Sequence, residues 1–142
     1  MKIKIRNDKL QPVIFFMDGL ELKPSLSRAR TRFISLLRPH VDIFLEADKH
    51  LVEVYAVKDE KGNVIFDDTG IFQLIPENAR EFHEARKELY LEIAEIEGGT
   101  YTTHLELLKQ ILDELDISLS GEKADAYDIL CDATDESLKE GV

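Results

Sequence analysis

The feature that most limits the fold is one apolar face running through residues 26–55. Leu26, Ala29, Phe33, Leu36, His40, Phe44, Ala47, Leu51 and Tyr55 recur almost entirely in steps of three and four. That is helical spacing, held for about eight turns. Ser25 or Ser27 supplies an N-cap. Pro39 falls inside the pattern. A proline there removes the bond to the carbonyl four residues back, which costs about 3 kcal/mol in an ideal helix. The expectation is a kink or short break at Pro39, with both halves serving one core.

Shorter elements surround this helix. Lys2–Arg6 alternates polar residues with Ile3 and Ile5, as a strand does. Asp8 is a fair N-cap for a first helix carrying Val13, Phe16, Met17 and Leu20, with Pro12 in its first turn. After Val54 the period changes. Asp59-Glu60-Lys61-Gly62-Asn63 and Asp67-Asp68-Thr69-Gly70 are turn chemistry, and Val64–Phe66 and Ile71–Leu74 lie beside them. A small β-hairpin results, with Val54–Val57 as a candidate third strand. Pro76 opens a third helix through Ala79, Phe82, Ala85 and Leu89. Leu91–Glu97 reads either as more helix or as a strand beside Lys2–Arg6.

Gly98-Gly99 breaks the chain, and Thr103 with Glu106 forms a capping box. Leu108, Ile111, Leu112 and Leu115 face inward on a fourth helix. Ser120 caps a fifth, with Ala124, Tyr127, Leu130 and Cys131 inward. The acidic tail over about residues 133–142 frays. The fold class is therefore α+β and mainly helical, with a long, Pro-kinked second helix and a small antiparallel hairpin or sheet. No internal repeat or dividing linker is read, so the 142 residues form one domain.

Charge is unevenly placed. Residues 1–40 hold nine Lys/Arg against three Asp/Glu, and residues 41–142 hold nine against twenty-six, within a total of -11. The plain expectation is a basic N-terminal part lying against acidic helices. Within it, Arg28, Arg30, Arg32 and Arg38 crowd into eleven residues. At about 100° per residue, Arg28 and Arg32 share one side, Arg30 flanks the core edge, and Arg38 lies elsewhere. The four do not converge on one face, as a helix reading nucleic acid requires. Arg28 and Arg32 thus either pair with carboxylates after residue 40 or form an interaction patch.

Chemistry-bearing motifs are incomplete. His83-Glu84 opens like a zinc-protease helix but lacks the second histidine four residues on. His40 and His50 lie near opposite faces, and His104 sits in a first turn. Asp67-Asp68-Thr69-Gly70 lacks the ligand spacing of a calcium loop. Gly98-Gly99-Thr100 lacks the Lys-Ser or Lys-Thr of a phosphate loop. Cys131 has no basic neighbour in sequence to activate it, and as the only cysteine it makes no internal disulfide. Acidic pairs are too common for one to stand out as general acid and base. No catalytic, cofactor-binding or metal-ligating residues are assigned, and the expected protein is not an enzyme.

The opening Met1–Arg6 lacks the pattern of a secretory signal, and no apolar run reaches the about 18–20 residues that span a bilayer. A cytoplasmic or virion-associated protein is expected. Its partner is expected to be another protein, neither nucleic acid nor membrane, and a homo-oligomer is compatible with the sequence.

Three runs carry a resemblance: "FFMDGLELKPSLSRARTRFISLLRPH", "VYAVKDEKGNVIFDDTG" and "SGEKADAYDILCDA". Together they resemble a family of small proteins from tailed phages and prophages of Gram-positive bacteria. Its members share a Gly-Leu-x-Leu turn, an Arg-rich start to a long helix, an Asp-Glu-x-Gly turn and an acidic Tyr-Asp-x-Leu end. Arg28, Arg30 and Arg32 match the Arg-rich segment. The resemblance implies a phage accessory role, in virion or tail assembly, and carries over no catalytic residues. The alternative is an acidic modulator that binds a host protein, occupying its nucleic-acid site.

Overall fold

The computed structural model describes residues 2–97 and 104–140, without the side chains of His104 and Glu140. The break at Gly98-Gly99, the Gly98-Gly99-Thr100 run and the Thr103 cap lie outside the described residues. In chain order the elements are β1 (Lys2–Arg6), α1 (Leu10–Asp18), α2 (Pro24–Tyr55), α3 (Ala79–Leu91), β2 (Ile93–Glu97), α4 (His104–Glu114) and α5 (Gly121–Glu140). The architecture is mainly helical α+β. Among the described residues no helix is long and apolar enough to cross a membrane. The chain divides into two compact units, one drawn from Met1–Val41 and Ile93–Val142, the other from Asp42–Glu92.

In the first unit, β1 pairs antiparallel with β2, and Ile3 stands opposite Ile96, Ile5 opposite Ala94. This settles the ambiguity of Leu91–Glu97: Leu91 ends α3 and the strand begins at Ile93. Alternation sends Ile3, Ile5 and Ile96 into the core. On the other face Lys2 is set opposite Glu97 and Lys4 opposite Glu95, opposite-charge pairs worth about 0.2–1 kcal/mol each. Helix α5 packs against β1, α1 and α4. Leu10, Val13, Phe16 and Met17 of α1, Leu26, Phe33, Ile34 and Leu37 of α2, Leu108, Ile111 and Leu112 of α4, and Ala126 and Leu130 of α5 complete one cluster.

Several local expectations are corrected. Asp8 does not cap α1. Arg6 grips it instead, with Nε donating to Oδ1 at 2.9 Å and Nη2 to Oδ2 at 2.8 Å. Helix α2 begins at Pro24, before Ser25 and Ser27. Proline suits that first position, where its missing N–H has no helical partner to lose. Helix α2 also runs unbroken through Pro39. Ser35, whose carbonyl loses its partner, and Pro39 are both exposed, so water reaches the freed oxygen. The two halves of α2 do not serve one cluster. Residues up to Val41 join the core above, whereas Phe44 is buried outside it. Helix α5 runs to Glu140, and Ala133, Thr134 and Ser137 continue the buried line of Ala126 and Leu130. Thr134 Oγ1 and Ser137 Oγ are buried there without hydrogen-bond partners.

In the second unit, the end of α2 and α3 hold three short ladder segments. Single bridges join Ala56 to Leu74, Lys58 to Val64 and Phe66 to Phe72. Each segment therefore pairs with both others. Val57 N–H donates to the Gln73 carbonyl at 2.8 Å, and its own carbonyl accepts from Ile65 N–H at 3.1 Å. In place of the expected third strand, residues 56–58 make only the single bridges of Ala56 and Lys58, since α2 holds the chain through Tyr55.

The two turns that link these segments are copies of one another, eight residues apart. Asp59 Oδ1 accepts from Lys61 N–H and Asn63 N–H, and Asp67 Oδ1 from Thr69 N–H and Ile71 N–H, all at 2.9 Å. Gly62 and Gly70 close them at φ 85° and 81°, a left-handed conformation that glycine adopts without steric cost. A tandem repeat of Asp-x-x-Gly turns is present where no internal repeat was read.

Candidate functional site

The arginine cluster separates into different roles. Arg30 Nη1 donates to the Met17 carbonyl at 2.9 Å and the Leu20 carbonyl at 2.7 Å, and Nη2 donates to Ser27 Oγ at 3.0 Å. Helix C-termini leave carbonyls without helical partners, and a cation there also opposes the helix dipole. Arg30 is thus the C-terminal clamp of α1 and fixes the turn into α2. Arg28 is exposed, with no hydrogen bond or ion pair among the described residues, and Arg32 is half-buried one turn on. Arg38 is exposed.

The pairing expected of Arg28 with carboxylates after residue 40 is therefore absent. Other N-terminal cations make such pairs: Lys2 with Glu95 at 3.4 Å and Lys9 with Asp125 at 3.1 Å.

Among the described residues, no three His, Cys, Asp or Glu side chains converge as metal ligands. Asp67 is committed to its turn: Thr69 Oγ1 adds a bond at 2.6 Å. That hydroxyl bond and the backbone donors hold its carboxyl below the usual range. Cys131 is half-buried, and burial pushes its thiol pKa up, away from the thiolate that a nucleophile needs. His83 lies on α3 with its ring 5.5 Å from that of Phe82.

The second unit presents a different kind of surface. Its interior is small: Phe82 takes Tyr55 and Phe72 edge-on at 6.0 and 5.9 Å, and Phe44 meets Tyr90 at 5.1 Å. Arg86 lies over the rings of Phe82 and Tyr90, 5.4 Å from each centroid, and forks onto Asp48. That bond raises the Arg86 guanidinium above its ordinary pKa.

Outside this interior, large apolar side chains face water. Ile43 is 68% exposed, Ile71 61%, Phe66 57%, Ile65 47% and Val54 46%, and Leu45 and Leu91 are close behind. Of ten exposed large apolar residues among those described, seven belong to this unit. Exposed apolar residues scattered singly are ordinary; here they are concentrated on one small unit.

On the exposed side of α2 in this unit lie a shallow, nearly flat patch and an open groove. One, of about 660 Å³, is lined by Asp42, Ile43, Glu46, Ala47 and His50. The other, of about 770 Å³, is lined by His50, Glu53, Val54, Lys58, Val64 and Phe66 among others. They share His50. Sequence reasoning assigned α2 a single apolar face that left out Ile43, His50 and Val54: it weighed His50 only as a ligand and gave Val54 to a candidate strand. Their spacing of seven and four, with Ala47 between, was the available signal. The chain matches no family model, no curated protein and no solved structure.

Proposed function

We propose that the protein is a non-enzymatic accessory protein that works through protein contacts, with the exposed side of residues 42–74 as its docking surface. The observation that carries this reading is the concentration of exposed Ile43, Val54, Ile65, Phe66 and Ile71 on a unit with so small an interior. The setting, assembly of a phage or prophage particle, rests on the sequence resemblance alone. A second reading, an acidic modulator of a host protein, is favoured by the charge of residues 42–92, thirteen Asp/Glu against six Lys/Arg.

The experiment is an affinity capture from phage-infected or prophage-induced cells with three baits: wild type, Ile43→Ser with Val54→Ser, and Ile65→Ser with Ile71→Ser. All four side chains are exposed, so the melting temperature stays near the wild-type value. A protein retained by wild type and lost by either variant supports the reading. Identical capture by all three baits, or none by any, overturns it. Recovery in purified particles favours the assembly setting, whereas co-purification with one host protein favours the modulator.

A further inference from the structure

We propose that Ile43, Ala47, His50 and Val54 form a seam on α2 that docks an amphipathic helix with basic flanks, contributed by a partner protein. The proposal rests on the reading that this protein works through protein contacts, and names the partner's chemistry.

The four residues recur in steps of four, three and four, the spacing with which one helix meets another along a coiled-coil seam. With Ile43 at 0° and about 100° per residue, His50 falls near -20°, Val54 near 20° and Ala47 near 40°. The stripe is therefore about 60° wide and about 17 Å long, three turns of a partner helix. The next sector, from about 80° to 140°, holds Leu51, Phe44, Tyr55 and Asp48. It is already in use: Phe44 meets Tyr90, Tyr55 meets Phe82, and Asp48 holds Arg86. One helix thus carries two adjoining apolar sectors, one packed and one facing solvent. Ala47, at the edge of the open one beside the packed sector, is small enough to leave room for a second helix at an ordinary axial separation of about 8–10 Å.

Charge selects the occupant. On the other border of the stripe, Glu46, Glu53 and Asp42 fall near -60°, -80° and -100°, with exposed Lys49 beyond them near -120°, so three carboxylates stand against one ammonium. All three are exposed and carry no ion pair among the described residues. They form an acidic rail along the apolar stripe, where e and g positions read the charge of a partner helix. A helix with Leu or Ile in its seam and Lys or Arg beside it meets both features. A second copy of this chain does not, because antiparallel pairing about Ala47 and His50 sets Glu46 against Glu53. Phosphate-bearing partners are repelled by the same rail.

The probe is a synthetic fourteen-residue helical peptide with Leu at seam positions and Lys at the flanks, labelled for fluorescence anisotropy. Its controls are a peptide with Glu at the flanks and a scrambled peptide of the same composition as the first. The expected result is binding of the Lys-flanked peptide, with amide shifts at residues 43–54 of the full chain. Ile43→Ser with Val54→Ser weakens it about tenfold or more, since each buried aliphatic side chain contributes that order of binding. Glu46→Lys with Glu53→Lys reverses the preference toward the Glu-flanked peptide.

Equal binding of the scrambled peptide, indifference to the seam substitutions, or a failure of the charge reversal overturns the proposal. In the capture experiment, a partner lost with the Ile65→Ser, Ile71→Ser bait and kept by the Ile43→Ser, Val54→Ser bait overturns this seam while leaving the functional reading standing.

Discussion

Arg86 of α3 and Asp48 of α2 meet as a two-point fork, Nε to Oδ1 and Nη2 to Oδ2, each at 2.9 Å. The pair joins the two helices of the second unit on the same side as Phe82 and Tyr90. Arg86→Ala should cost about 1–2 kcal/mol, less than a fully buried pair because the Arg86 side chain is 34% exposed. Arg86→Lys should recover only part, since an ammonium cannot match both oxygens and lies less well on the rings. Denaturant unfolding of the three proteins checks this. A cost from Arg86→Ala no larger than that of Arg80→Ala, at an exposed pair with Glu84, would refute it.

Arg30 and Arg28 should behave differently although two residues apart. Arg30→Ala strands the Leu20 carbonyl, leaves that of Met17 with only backbone N–H partners, Leu20 N–H at 3.3 Å among them, and should cost about 1–2 kcal/mol. Arg28→Ala should change stability by about 0.5 kcal/mol or less. Thermal unfolding of the single variants separates the clamp from its exposed neighbour. Comparable losses would mean that Arg28 is also built into the fold.

The tandem turns give a pH signature. The Asp67 carboxyl is held below its ordinary pKa by Thr69 and the turn's N–H donors. A depressed carboxyl contributes stability that is present above about pH 4 and is lost as pH falls through its folded value. Asp67→Asn keeps the acceptor oxygen and should remove this acid-dependent step. Carboxyl NMR titration reads it directly, and an Asp67 titrating with the exposed aspartates would contradict it. Gly70→Ala should cost about 1–2 kcal/mol at any pH, because alanine resists φ near +81°.

Thr134 should be better replaced than kept. Its hydroxyl is buried without a partner on α5, so it carries a desolvation cost and returns no bond. Thr134→Val keeps the shape and should be neutral or stabilising by about 1 kcal/mol. A loss above about 1 kcal/mol in denaturant unfolding would show that the hydroxyl is bonded in solution.

Much of this fold is legible where a period and a boundary signal coincide. Ile3 and Ile5 announce β1, and the Asp and Gly of both turns announce the ladder. Of the kink or break expected at Pro39, the break is absent, because the proline's cost is local whereas Phe33, Ile34, Leu37 and Val41 anchor the helix on both sides of it. The end of α5 is less legible because Ala133, Thr134 and Ser137 are small and do not look like a core, yet they are buried. Arg30 was placed at the edge of the core, but its acceptors are backbone carbonyls, which no residue identity encodes. The outer stripe of α2 was hidden by its neighbour: the face read from the sequence took Phe44, Leu51 and Tyr55, and left Ile43, His50 and Val54 beside it without a role. Only the packing of Phe44 on Tyr90 and of Tyr55 on Phe82 shows which sector is covered.

The division of the chain into Asp42–Glu92 and its two flanking stretches sets an order of events during synthesis. The segment that contains β1, α1 and the start of α2 leaves the ribosome first, yet β2, α4 and α5, which cover Ile3, Ile5, Val13 and Phe16, are made last. The middle segment needs nothing downstream of Glu92 to close its ladder and seat Phe82. Its pairings are local in sequence and so are fast to form. The contacts of the inserted unit are therefore the first to be complete in the growing chain, while the earliest apolar residues wait for more than fifty others to be added.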